Sequence, residues 1–303
     1  MQNLRFTLYM VLAAASWGFG TVISKGVLAY FPALTLMVIQ LTASIACLWT
    51  ALAAKRVRIP FDRRILLPAL LGLLSPGLAD TLSLFGLTMT TVSMSTLIWD
   101  FQPIIIIGLA LVILRERATR PLAAFSLLAT LGVVLVAGVD LNAQGNGILI
   151  GNLLTLTAVF FCSTYIVLTR RVVSTLEALP LVALQQTVSL VGVLAIWATE
   201  LMGRPPQNLL TISPAIWGWA VLSGAVYYAL AFWLYITGLK RTSASVAGFF
   251  INLVPIFGVT GAYLFLEERL SAIQWVGAIL ILFSVANIFR LQRGETALVS
   301  AYT

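Results

Sequence analysis

Histidine is absent from all 303 residues. Its absence removes Ser-His-Asp triads, Cys-His nucleophile pairs and the histidine-bearing zinc hydrolase sites from the chemistries open to this chain. Cysteine is nearly absent too. Cys47 and Cys162 each sit inside an apolar run and make no disulfide framework. Charge is scarce, at 9% of residues, and no polar stretch longer than about 15 residues is available to build a soluble domain. What fills the sequence instead is apolar: 60% of it is hydrophobic and the mean hydropathy is +1.03. Those values describe an integral membrane protein with many spans. No metal site, cofactor or catalytic group is expected.

Windows of about 20 apolar residues, bounded by charged and turn-rich breaks, predict about ten spans. They fall near 5–27, 33–53, 65–87, 91–114, 120–139, 147–169, 178–201, 213–238, 243–266 and 270–290. The runs are continuous rather than alternating, so the expected fold is all-α and not a barrel. Arg5 and the small residues Ala13-Ala14-Ala15-Ser16 resemble a signal peptide, but another apolar span follows, so the stretch reads as an uncleaved first membrane helix. With the N-terminus in the cytoplasm, every Lys and Arg except Lys25, Arg204 and Arg269 falls on the inner side. This asymmetry places both termini in the cytoplasm and accounts for the net charge of +8 without a nucleic-acid partner. The expected setting is the bacterial inner membrane, with the lipid bilayer as one partner, a small-molecule substrate as another, and a monomer or homodimer as the assembly.

The chain states one pattern twice. The stretch Ser93-Met-Ser-Thr-Leu-Ile-Trp-Asp-Phe-Gln-Pro103 returns 152 positions later as Ser245-Val-Ala-Gly-Phe-Phe-Ile-Asn-Leu-Val-Pro255. Ser93 pairs with Ser245, Asp100 with Asn252 and Pro103 with Pro255; Gly86 pairs with Gly238, and Arg115-Glu116-Arg117 with Glu267-Glu268-Arg269. A weaker match joins residues 20–27 to 165–172. Each copy holds five spans. Five is odd, so the second copy enters from the opposite side and the chain forms two inverted five-helix repeats, residues 1–142 and 143–293, followed by a cytoplasmic tail at 294–303. The corner after the fourth span is basic and that after the ninth is mainly acidic, in keeping with opposite sides of the membrane.

The Ser16-Trp17-Gly18 opening with its trailing Lys25, the proline-bearing fourth and ninth spans closing on charged corners, and the run Gly-Leu-x-x-Thr-Ser-Ala-Ser at 238–245 resemble the drug/metabolite transporter superfamily, in its EamA-like ten-helix branch. The resemblance covers nearly the whole chain. It implies a transporter rather than an enzyme, an exporter or exchanger of small metabolites working by alternating access. It also implies a cavity lined by the first, third, fourth, sixth, eighth and ninth helices. Many members carry an arginine in the second helix where this chain has Gln40, which tilts the expected substrate away from phosphorylated anions and toward amino acids, amines or drug-like solutes.

Asp100 is the first candidate for substrate binding and coupling. A carboxylate near the bilayer centre costs about 2.5–3.5 kcal/mol on insertion scales, and such residues face cavities rather than lipid. Ser93, Thr96, Asp100 and Pro103 fall within about an 80° arc, and Pro103 frees the carbonyl of Trp99. Asp80, in Ser75-Pro76-Gly77-Leu-Ala-Asp80, is the second, on a helix expected to bend. The pair opens the option of proton coupling, because apolar surroundings disfavour a charged carboxylate. Trp17, Trp99, Tyr165, Tyr228 and Phe232 are the aromatic binding candidates and Asn252 the polar one; Pro103, Pro255 and Lys25 are gating candidates. The plainer alternative for each is packing or interface anchoring. Gln40, Gln185 and Gln186 read better as hydrogen bonds between helices. A competing class, the intramembrane aspartyl proteases, requires Tyr-Asp followed by Gly-x-Gly-Asp; here Gly77-Leu-Ala-Asp80 precedes Trp99-Asp100 and lacks the second glycine.

Overall fold

The computed structural model describes residues 2–57, 59, 62–87, 89, 98–99, 101–116, 119–137, 146–202, 209–265 and 272–301. Among them there is no strand, and ten helical spans follow one another. These are α1 (Gln2–Leu28), α2 (Ala33–Ala54) and α3, which runs together Arg63–Ala69, Leu70–Leu73, Leu74–Leu78 and Ala79–Leu87. Next come α4 (Gln102–Leu114), α5 (Arg120–Ala137), α6 (Asn146–Val173) and α7 (Ala178–Met202). The last three are α8 (Pro214–Leu239), α9 (Ala244–Phe250, Ile251–Leu253 and Val254–Phe265) and α10 (Ala272–Ala301). Among the described residues six spans are long and apolar enough to cross a membrane; α4 and parts of α9 and α10 are shorter apolar helices. The protein is an all-α integral membrane protein.

Local signals start the helices where a lipid-facing backbone needs them. Asp62 accepts from the Arg64 backbone N–H at 3.0 Å ahead of α3, Pro214 follows Ser213 at the first turn of α8, and Ser243 accepts from the Val246 N–H at 3.3 Å ahead of α9.

Helix packing shows the inverted repeat directly. α1 packs on α8 and α9, as its counterpart α6 packs on α3 and α4; α2 lies against α8 as α7 lies against α3. The pairs α2–α7, α4–α9 and α5–α10 each join a helix to its own counterpart, which places them on the pseudo-twofold axis. The small residues at these contacts obey the same symmetry. A Cβ on Gly72 of α3 would stand 1.8 Å from the Gln185 carbonyl of α7, and a Cβ on Gly224 of α8 would stand 2.4 Å from the Gln40 carbonyl of α2. Gly224 follows Gly72 by 152 positions, while Gln185 follows Gln40 by 145, so the second copy is seven residues longer between its second and third helices.

The glutamines themselves tie the bundle together. Gln40 Nε2 donates to Ser24 Oγ and Ser223 Oγ, both at 2.8 Å, linking α2 to α1 and α8. Gln185 Nε2 donates to the Pro68 carbonyl at 3.2 Å and to Thr169 Oγ1 at 3.4 Å, and its Oε1 accepts from Tyr165 Oη at 2.9 Å. Each bond is worth about 0.6–2 kcal/mol in a membrane interior.

Candidate functional site

Two breaks build the centre of the molecule. In α3, Ser75 has φ −151° and ψ 133°, an extended residue inside the helix, and Leu74–Leu78 widens into a π turn. This is the bend that Ser75-Pro76-Gly77 predicts: proline removes a backbone donor and clashes with the preceding turn. In α8 the equivalent segment, Ala225–Leu230, also forms a π turn, with no proline in it. π turns are rare and concentrate at functional sites. Both breaks face the interior.

Asp80 lies one turn beyond the first break. It is half-buried overall, but its Oδ2 is buried with no hydrogen-bond partner of ordinary geometry among the described residues. The Tyr228 hydroxyl, from the second break, faces the carboxyl group as a hydrogen-bonding side chain, and Tyr227 and Cys162 lie within electrostatic reach of it. On the same face of α3, Ser83 Oγ accepts from Trp99 Nε1 at 3.0 Å. Cys162 of α6 accepts from Gln102 Nε2 of α4 at 3.1 Å and from Ser75 Oγ at 3.6 Å. Gln186 of α7 donates from Nε2 to the Tyr228 carbonyl at 2.7 Å, a backbone group beside the π turn, and its Oε1 accepts a short bond from Ser44 Oγ of α2.

Aromatic rings close the other side. Phe232 meets Trp17 edge-on at 5.5 Å, Tyr165 at 6.2 Å and Tyr228 in a stack at 6.1 Å. Trp17 also meets Tyr235 at 5.1 Å. Tyr235 Oη is buried without a partner among the described residues, and Cys162 and Tyr165 lie near it. The centre therefore offers, among the described residues, a carboxylate oxygen and a phenol without partners beside a cluster of packed rings.

The structure thus brings together Trp17, Asp80, Trp99, Tyr165, Tyr228 and Phe232 from five helices or their approaches. Asp100 lies outside the described residues, as do Ser93 and Thr96. Pro103 stands in the first turn of α4; before it Ile98 and Trp99 are helical, Phe101 is in a turn, and the Phe101 N–H bonds to the Ile98 carbonyl at 3.2 Å. Asn252 is turned onto its own helix, where Nδ2 donates to the Phe249 carbonyl at 2.9 Å, within the tight turn Ile251–Leu253 that precedes Pro255. Lys25 sits in the last turn of α1.

Four contributors escape sequence reasoning: Cys162, Gln102, Ser75 Oγ and Tyr235. Helical spacing gives no sign of Cys162, but its repeat counterpart under the 145-residue offset is Trp17, already a candidate. That offset is visible only once the first-helix match is extended along the chain.

Known proteins share this architecture. The model of the EamA-like transporter family matches residues 5–138 and again 149–290. A Bacillus subtilis protein named Uncharacterized transporter YyaM is 25% identical over 222 residues, 72% of each chain. An Uncharacterized transporter of Methanothermobacter thermautotrophicus is 28% identical over 229 residues, 73% of this chain and 63% of its own. A solved structure described as "Crystal structure of protein" superposes with a TM-score of 0.79 at 18% identity, covering 96% of this chain and 98% of that one, a likeness of fold.

Proposed function

This chain belongs to the EamA-like transporter family, and on that premise we propose that it exports or exchanges a small amine-bearing solute by alternating access around Asp80. That the chain is a membrane transporter follows from the family; the substrate and the cycle are our reading. One observation carries it. Among the described residues, Asp80 Oδ2 and Tyr235 Oη are buried without partners, on the two helices that carry the break of α3 and the π turn of α8. In transporters built from inverted repeats, substrate sites lie at convergences of discontinuous helices. A buried polar atom left unpaired costs about 1–3 kcal/mol, which a polar solute would offset on binding.

The chemistry of the wall favours a cation. A carboxylate facing the Tyr228 hydroxyl, with Phe232 stacked on Tyr228 and Trp17 edge-on to Phe232, suits a protonated amine, held by charge on one side and by cation–π attraction on the other. Amino acids, simple amines and cationic drug-like solutes share that group. In this reading the end of the bundle with the basic loops faces the cytoplasm at a bacterial inner membrane, with both termini on that side, as the positive-inside rule favours. Asp80 and Asp100 are the two carboxylates able to couple the cycle to protons.

Counterflow in proteoliposomes, with labelled amino acids, aromatic amines and sugar phosphates, tests this reading with and without a pH gradient. The expected result is uptake of amine-bearing solutes. Asp80→Asn should lower their apparent affinity about tenfold or more, the scale of one hydrogen bond to a charged group. Asp100→Asn should lose the response to a pH gradient. Transport of sugar phosphates alone, or unchanged amine affinity in Asp80→Asn, would overturn it.

A further inference from the structure

We propose that Glu116 is a gating residue, a latch that holds the two repeats together at the basic end of the bundle and must release for the central site to open there. The observation is a three-way grip across the repeats. Glu116 Oε1 accepts from the Ala244 backbone N–H at 3.0 Å, and Oε2 accepts from the Ser245 N–H at 3.2 Å and from Ser245 Oγ at 3.1 Å. Glu116 follows the last turn of α4; Ala244 and Ser245 open α9.

A plain helix cap does not need this arrangement. α9 carries its own cap, since Ser243 Oγ accepts from the Val246 N–H. Glu116 comes from the other repeat, 128 residues away, and satisfies the two N–H groups that Ser243 leaves. Its charge sits on the positive end of the α9 dipole, so these bonds are charge-assisted. The chain spends conformational energy to present it. Arg115 adopts the left-handed region, with φ 54° and ψ 31°, a strained choice for a residue other than glycine, and the Glu116 N–H bonds back to the Ala110 carbonyl at 3.2 Å. Backbone strain of this kind collects at switch positions.

The repeat supplies the second argument. α4 and α9 are each other's counterparts and pack together on the pseudo-twofold axis. Rocking of one repeat against the other must therefore part them at one end as it closes them at the other. The sequence carries the same residue types at the opposite end: under the 152-residue offset Glu116 corresponds to Glu268 and Ser245 to Ser93, all four within the duplicated stretches. Glu268 and Ser93 lie outside the described residues. The latch rests on the alternating-access reading above and deepens it by naming what holds one side shut.

Cys162 provides a built-in reporter, because its thiol lies in the central site against Gln102 and Ser75. In this 303-residue chain carrying Cys47→Ala, Cys162 is the one thiol. The rate of its modification by a membrane-impermeant maleimide is measured on inside-out and on right-side-out vesicles. Glu116→Gln should raise the rate about tenfold from the basic, cytoplasmic side and not from the other. Glu116→Asp should restore much of the protection, and Ser245→Ala should raise the rate two- to threefold. An unchanged rate in folded Glu116→Gln, an equal rise from both sides, or a thiol that reacts in no variant would overturn the latch. If Glu116→Gln fails to reach the membrane, Ser245→Ala decides between these outcomes by the same criteria. The measurement uses no substrate, so a failure of the amine reading in counterflow leaves this result standing and readable.

Discussion

α3 and α8 are the same helix written twice and filled differently. Both form a π turn at equivalent positions, Leu74–Leu78 and Ala225–Leu230, and both begin that turn just after a glycine pressed against a glutamine backbone. Yet α3 breaks with Ser75-Pro76-Gly77 while the equivalent residues of α8 are Tyr227-Tyr228-Ala229, and Asp80 corresponds to Phe232. One half supplies the bend, the hydroxyl and the carboxylate. The other supplies rings. The difference teaches that backbone symmetry here is maintained by small residues at helix crossings, whereas the chemistry of the site is made by letting the copies diverge around a shared break. A symmetric site of two carboxylates or two ring clusters would bind neither an amine nor its apolar body as well as the mixed one does.

If the crossings hold the symmetry, damage to either should be large and alike. Gly72→Ala and Gly224→Ala place a methyl group 1.8 Å and 2.4 Å from a backbone carbonyl, an overlap that side-chain motion cannot relieve. Each should cost about 3 kcal/mol or more, near or beyond the upper range for overpacking, and lower the melting temperature of the purified protein in detergent. Gly218→Ala is the matched control on α8: its Cβ would meet nothing within 4 Å, and alanine in a helix interior gains about 0.5–1 kcal/mol over glycine. A large loss from one crossing glycine and none from the other would break the comparison.

How much of this is legible in the sequence follows from how far each signal is local. The spans, the repeat and the bend at Ser75-Pro76-Gly77 are written in contiguous residues, through hydropathy, offset matches and proline. The break in α8 is not, because Ala225–Leu230 contains no helix breaker and its π turn is imposed by packing, including the Gln186 bond to the Tyr228 carbonyl. Cys162 and Gln102 meet only when α4 and α6 pack together, 60 positions apart in sequence, so no periodicity announces them. Tyr235 looks like one more ring in an apolar helix until its hydroxyl is seen to lack a partner among the described residues. Glu116 reads as a loop charge in a basic corner, and its role depends on a helix that begins 128 residues later. Gln40, Gln185 and Gln186 are the reverse case. Polar residues inside apolar spans have few places to go but a neighbouring helix, and that is where the structure puts them.

A smaller effect sharpens the division of labour between the two breaks. Tyr228→Phe removes the hydroxyl that faces Asp80 and keeps both the ring stacked on Phe232 and the backbone carbonyl held by Gln186. Stability should change little. Affinity for the amine-bearing solute, measured by counterflow, should fall about three- to tenfold, the worth of one hydrogen bond of about 1 kcal/mol. Trp17→Phe, which leaves the carboxylate untouched, should weaken aromatic amines more than aliphatic ones. Equal weakening of both would assign the ring a packing role.

The smallest effect is expected where the sequence symmetry looked most telling. Asn252 stands opposite Asp100 in the repeat, which invites the reading that both line the site. The structure instead turns the Asn252 amide onto the Phe249 carbonyl at 2.9 Å, one turn back in the same helix, with the residue only 2% exposed. A bond made within one helix across a tight turn shapes that turn and commits the amide nitrogen to it rather than to a solute. Asn252→Ala should therefore cost about 1 kcal/mol of stability and leave counterflow affinity and its pH response at the wild-type level. Asp100→Asn, its counterpart, should keep the stability and lose the pH response. A loss of affinity in Asn252→Ala comparable to that of Asp80→Asn would mean that the amide swings into the centre during the cycle, and that the two halves share the site more evenly than their side chains show.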